Sequence, residues 1–124
     1  MDDSGEDSDD SSLLVRRASL RDARSIYMIH LKSLAGVDRE DAGWFKELLR
    51  VRSRRVKALV AEVAGEVVGF TIAYKSRGRA YIDYLAVDPR FRGLGVGSRL
   101  LRELEGLLAE EGVEEVGLSV KSSN

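Results

Sequence analysis

Glycines at 93, 95 and 97 alternate behind Arg92 and ahead of a leucine-rich run. No other residues in the sequence are better suited to holding an anion. The stretch 85–101 reads Leu-Ala-Val-Asp-Pro-Arg-Phe-Arg-Gly-Leu-Gly-Val-Gly-Ser-Arg-Leu-Leu. A β-rich run ends at Asp88-Pro89, the glycines follow, and an amphipathic helix begins. Between Arg92 and Gly97 six consecutive backbone amides have no strand partner obliging them to point elsewhere. The helix N-terminus behind them adds about half a positive charge. Such a loop is an anion cradle whose usual occupant is phosphate. A P-loop would need lysine after the last glycine, where Ser98 stands, and a dinucleotide fingerprint would need a third glycine where Leu100 stands. The plain alternative, a glycine turn with no ligand, costs conformational entropy for little packing gain.

Composition removes several other chemistries. The 124 residues contain no cysteine and one histidine, His30. That leaves no thiolate nucleophile and no disulfide, and the single histidine argues against a histidine-built metal site or a serine triad; no metal is expected. No apolar run is long enough to span a membrane and no signal peptide is visible, so the expected location is cytoplasmic. Residues 1–12 carry six acids among serines and are expected to be a disordered tail. Without them the formal charge moves from −1 to +5, which suits a polyanionic cofactor. The single asparagine, the absence of glutamine and the fifteen arginines to five lysines fit a thermophilic source, although a GC-rich genome also favours arginine.

The elements that must position the loop follow from periodicity. A strand is expected at 13–17, then a helix capped by Ser19 with Asp22 in a capping-box arrangement. Leu20, Ala23, Ile26, Tyr27, His30, Leu31 and Leu34 form its apolar stripe, and Gly36 ends it. A second helix at 41–50 buries Trp44, Phe45, Leu48 and Leu49. Strands at 56–63, 67–75 and 79–87 make an antiparallel meander, with turns at 64–66 and 76–78. The helix after the glycine loop presents Leu100, Leu101, Leu104, Leu107 and Leu108 on one face and stops at Gly112. A last strand, 116–120, arrives by a helical crossover and so lies parallel to 79–87.

The Arg92-x-x-Gly95-x-Gly97 loop behind Val87-Asp88-Pro89 resembles the acetyl-coenzyme A loop of the GNAT superfamily of N-acetyltransferases. The run Ala80-Tyr-Ile-Asp-Tyr-Leu-Ala-Val-Asp-Pro and the segment Leu118-Ser-Val-Lys-Ser-Ser-Asn124 fit the same family, and the resemblance covers residues 13–124. It implies an α/β fold: a mixed twisted sheet, antiparallel except for one parallel pair, with helices on both faces. It implies a bulge in the 79–87 strand that takes residues 84–86 off simple alternation. It implies acetyl-CoA as cosubstrate, held by Leu85, Ala86, Val87, Arg92, Gly93, Leu94, Gly95, Val96, Gly97, Ser98 and Asn124. The implied reaction is direct acetyl transfer to a primary amine. The segments quoted resemble ribosomal-protein and nascent-chain Nα-acetyltransferases more than antibiotic or polyamine ones. The acceptor is then a protein or peptide N-terminus, with a small-molecule amine as the other choice. In the family the pattern continues past Asn124 into a further helix and strands with a tyrosine acid. These have no counterpart here, so a truncated fold is expected, with an exposed last strand able to pair in a homodimer.

By the same resemblance the Val87 amide polarises the thioester carbonyl and Tyr81 stands at a general-base position, eleven residues before Arg92. A tyrosine would act through water or with a lowered pKa, since its free value is near 10. Asp83, two residues on, could take a proton through water or hold an ammonium. The plain readings are a half-buried sheet aromatic for Tyr81 and a solvated strand residue for Asp83. Glu40 and Asp41 could attract a cationic amine; most such loop acids are surface charge. His30 reads better as a packing residue than as a base. The basic run 50–57 lacks interleaved aromatics, so it reads as a solvated helix end with a charged strand start, and nucleic acid is not an expected partner. Arg90, Arg99 and Arg102 flank the loop and are candidates for phosphate contact. The rival functions are a non-catalytic acetyl-CoA-binding module or inactive relative, and an RNA- or ribosome-binding protein.

Overall fold

The computed structural model describes residues 12–33, 42–50 and 55–118. In chain order the elements are β1 (Leu13–Arg17), α1 (Ala23–Ser33), α2 (Ala42–Arg50), β2 (Val56–Val63), β3 (Glu66–Ser76), β4 (Arg79–Val87), α3 (Val96–Glu110) and β5 (Glu115–Leu118). Short 3-10 turns at Leu20–Asp22 and Pro89–Phe91 precede α1 and α3. The strands form one sheet in sequential order, antiparallel from β1 to β4, with β5 parallel to β4. This is the mixed α/β sheet expected from the sequence. The expected tail, residues 1–12, lies outside the described residues except for Ser12.

Helices cover both faces of the sheet, so the central strand β3 is buried continuously from Val68 to Ala73. On one face Val96, Leu100, Leu104 and Leu108 of α3 meet Leu59, Ala61, Val68, Ala73, Ala80 and Ile82. On the other, Ala23, Ile26 and Ile29 of α1 and Phe45 and Leu48 of α2 meet Val60, Phe70, Ile72 and Tyr84. Each large side chain buried in this way contributes about 2 kcal/mol.

Three burial expectations change. Leu20 is exposed, because α1 opens as a 3-10 turn that rotates it off the apolar stripe, and Ile29 takes a core place instead. Trp44 is 41% exposed rather than buried, leaving Phe45 and Leu48 to hold α2 down. Lys57, at the charged start of β2, lies inside rather than at the surface. Its side chain is buried, and its ammonium sits 2.9 Å from Glu111, which Lys75 also meets at 3.0 Å. Burial pushes the Glu111 carboxyl up, but the hydrogen bonds from the two lysines more than offset this and hold it below the ordinary glutamate value. These cations also face the negative end of α3, which Glu111 caps and Gly112 (φ +87°) terminates.

Candidate active site

The site begins with a bulge. Ile72 of β3 pairs with Tyr84 while its neighbour Ala73 pairs with Ile82, so Asp83 is an extra residue in β4. Before the bulge Ala80 and Ile82 face α3; after it Leu85 and Val87 do, and Tyr84 and Ala86 turn to the α1–α2 side. The expected departure from alternation at 84–86 is therefore present. Thr71 stabilises the irregularity: its buried hydroxyl donates to the Tyr84 carbonyl at 2.8 Å. Gly69 lets α3 approach closely, since a Cβ there would stand 3.1 Å from the Ala86 carbonyl and 3.2 Å from both Leu100 and Val96. Neither residue was singled out from the sequence; an unexplained glycine inside an apolar strand was the available signal.

Asp88 then fixes the turn into the glycine loop. Its amide donates to the Val68 carbonyl at 2.8 Å. Its buried carboxylate accepts from the Arg90 amide (3.0 Å) and guanidinium and from Lys32 at the end of α1 (3.3 Å). The Arg90 side chain foremost, then the Arg90 amide and Lys32, outweigh burial and pull the Asp88 carboxyl down to about 2. Arg90 also bonds Glu66 at the start of β3, and Arg99 bonds Glu103. These internal bonds leave neither arginine dedicated to an anion. Gly93 and Gly95 take φ of +79° and +84°, values that favour glycine, and Gly95 caps α3. The Arg92 amide closes the preceding turn on the Pro89 carbonyl at 3.5 Å, and α3 hydrogen bonding begins with Arg99 on Gly95 at 3.0 Å. Among the described residues the amides of 93–98 have no backbone partner. The run of free amides is thus still six long but begins one residue later than the sequence implied.

Because the Asp88 amide points to β3, the Val87 amide and carbonyl point the opposite way, toward the β5 side. Arg92 lies on that side, its Nε donating to the Val87 carbonyl at 3.3 Å. The glycine loop, one guanidinium and the Val87 amide edge therefore meet at the end of β4. Tyr81 is on the opposite face from Ile82, the face of Tyr84 and of its partner Tyr74. It is 41% exposed, and its ring lies over Gly117 of β5, where a Cβ would come within 3.1 Å. Asp83, half-buried, shares its sheet position with Tyr84. Tyr84 stands in an aromatic cluster with His30 (5.8 Å), Phe45 (5.5 Å) and Phe70 (6.2 Å), and Trp44 Nε1 donates to its hydroxyl at 3.1 Å. His30 is a packing residue, as expected. Nearby in α1 the Ser33 hydroxyl is buried without a hydrogen-bond partner among the described residues. Glu40, Asp41 and Asn124 lie outside the described residues. No cluster of potential metal ligands occurs among those described.

Comparison with known proteins bears on this arrangement. The acetyltransferase (GNAT) family matches residues 18–124. Acetyltransferase SG1711 of Sodalis glossinidius (strain morsitans) is 46% identical over 68 residues, 53% of this chain and 46% of that protein. Ard1 from Thermoplasma volcanium superimposes with a TM-score of 0.75 at 33% identity, over 86% of this chain and 70% of that one. The ribosomal-protein-S18-alanine N-acetyltransferase from Escherichia coli gives a TM-score of 0.75 at 21% identity, over 86% of this chain and 65% of that one, a likeness of fold. The chain thus spans about half the length of the curated relative it matches. A bulged β4 feeding a glycine cradle at the N-terminus of α3, together with a family match over most of the sequence, shows that this chain belongs to the GNAT acetyltransferase family.

Proposed function

We propose that this chain transfers acetyl from acetyl-CoA to a primary amine by direct attack, with a protein N-terminal α-amine as the acceptor. The observation that carries the reading is the run of unpartnered amides at 93–98, set at the end of the bulged β4. Coenzyme A is a diphosphate-bearing anion, and a row of backbone donors at a helix N-terminus fits it. When bound it supplies the thioester-activated acetyl group. Gly93, Leu94, Gly95, Val96, Gly97 and Ser98 would hold the diphosphate through their amides, with Arg92 beside them. Leu85, Ala86 and Val87 would line the acyl arm, and the Val87 N–H would face the carbonyl oxygen where negative charge develops. Tyr81, with Asp83 nearby, would pass the amine proton to solvent.

The α-amine suits so modest a set of groups. With a pKa near 8, roughly a tenth of it is free base at pH 7, against about one lysine amine in a few thousand. Orientation of two bound reactants then supplies several kcal/mol. Titration calorimetry should detect coenzyme A binding, and a peptide with a free N-terminus should be acetylated where its Nα-blocked copy is not. Tyr81→Phe should lower kcat/KM about a hundredfold or more, within the range for general-base loss. Binding without transfer to any amine would reduce the chain to an acetyl-CoA-binding module, and absence of binding would remove the reading altogether.

A further inference from the structure

The outer surface of α3 carries two residues that the helix by itself does not favour. Gly106 stands in the interior of α3, where glycine is worse than alanine because it loses more backbone freedom. No packing within the chain asks for it, since an added Cβ would meet nothing within 4 Å. Glu110 closes the same helix, at the negative end of its dipole, where a carboxylate is repelled. Arg102, one turn before Gly106, and Glu110, one turn after it, are both exposed and enter no ion pair among the described residues. Their neighbours are engaged: Glu103 with Arg99, and Glu111 with Lys57 and Lys75. Beside this stripe runs a groove of about 410 Å³, lined by Val15 and Leu59 of the sheet and by Arg102, Gly106, Leu107 and Glu110 of α3. The stripe therefore stands clear at the β1 edge of the sheet, the opposite edge from β5.

We infer that α3 pairs with the α3 of a second copy of this chain, antiparallel and centred on Gly106. A two-fold contact is self-complementary: what one residue meets, its symmetry mate meets in return. A dyad at Gly106 exchanges the positions four before and four after it. Arg102 of each copy then faces Glu110 of the other, and both unpaired charges are matched twice over. Glu103, already bonded to Arg99, faces only the small, exposed Ala109. Residues four apart form one of the ridges along which helices pack, and the missing side chain at 106 lets the two backbones approach at the crossing. The antiparallel sense also sets unlike dipole ends side by side. A parallel pair would set Arg102 on Arg102 and Glu110 on Glu110, so charge selects the sense. The same charges disfavour a polyanion, which would meet Glu103, Glu105 and Glu110 beside Arg102.

The chain contains no cysteine, so a single introduced thiol reports this contact alone. Leu118→Lys is carried throughout, to keep the exposed end of β5 from contributing. Under diamide oxidation, Gly106→Cys should form a disulfide-linked dimer about tenfold faster or more than Arg24→Cys, an exposed position on α1 across the sheet. Adding Arg102→Glu should slow that cross-link about fivefold or more. Adding Arg102→Glu and Glu110→Arg together should bring it back to within about twofold, because the pair is restored with its signs exchanged. Circular dichroism should stay unchanged in every variant, since all the substituted sites are exposed. The inference is overturned if Gly106→Cys cross-links no faster than Arg24→Cys, or if the double reversal is as slow as the single one. It is equally overturned if the Gly106→Cys thiol of a monomer resists a maleimide, which would mean that another segment of the same chain covers this face.

Discussion

Gly95 and Gly97 look equivalent in the sequence and are not equivalent in the fold. Gly95 sits at φ +84°, so any side chain there strains the backbone by about 1 kcal/mol or more before charge is considered. Gly97 has an ordinary φ, and an added Cβ would touch only Val87 Cγ2 at 3.7 Å. Gly97→Asp therefore separates binding from folding. An acid in the first turn of α3 should leave the melting temperature unchanged or slightly higher, by about 0.3–1 kcal/mol of helix-dipole energy. The same charge should largely abolish coenzyme A affinity in calorimetry; unchanged affinity would reject the cradle. Ser33 gives a second residue-level expectation. Its hydroxyl is buried without a partner among the described residues, so Ser33→Ala should stabilise the protein by about 1 kcal/mol in urea denaturation. A loss of stability would mean that the hydroxyl has a partner of its own.

At the scale of elements, one carboxylate joins three of them. Asp88 ties the end of β4 to α1 through Lys32 and to the start of β3 through Arg90 and Glu66. The ordinary carboxyl value is 3.8 and the folded one about 2, so the folded state favours the ionised form. A depressed pKa contributes stability that is complete above pH 4 to 5 and fades as the pH falls toward 2. The contribution is about 2 kcal/mol. Stability curves of Asp88→Asn should lie below the wild type at pH 7 by about that amount and converge with it near pH 2. Parallel curves across this window would assign the coupling elsewhere. The variant should also weaken coenzyme A, because the turn that aims the cradle is the one Asp88 closes.

At the scale of the whole molecule, the outer strand β5 bears on association. On β5, Val116 is 40% and Leu118 71% exposed, and the pairing described with β4 runs from Arg79–Glu115 to Ile82–Leu118. Among the described residues β5 is paired along one edge, and an unpaired apolar edge seeks a second partner. We propose that this chain self-associates through β5, so sedimentation across a concentration series should show a monomer–dimer equilibrium. Leu118→Lys should shift it toward monomer without changing the circular dichroism. A monodisperse monomer at all concentrations would remove the proposal. No helix among the described residues is long and apolar enough to cross a membrane.

The sequence by itself determined the order of the elements, the bounds of β1, β2 and β4, the parallel crossover to β5, the Gly112 stop and the glycine loop ahead of α3. These are local properties: hydrophobic period, cap chemistry and the backbone freedom of glycine are written in neighbouring residues. Only the tertiary structure decided what depends on residues far apart in the chain. It made Asp83 the bulged residue and gave Thr71 the task of satisfying the Tyr84 carbonyl. It buried Lys57 against Glu111, 54 positions away, and turned Trp44 outward onto Tyr84. It also moved the first free amide from Arg92 to Gly93, because the Pro89 carbonyl takes the Arg92 amide. A helical stripe tells which face is apolar but not how the helix is rotated on its sheet. Strand alternation likewise cannot count an extra residue whose partner lies on another strand. Rotation, register and pairing are settled by packing, and packing decides which side chains meet at the end of β4.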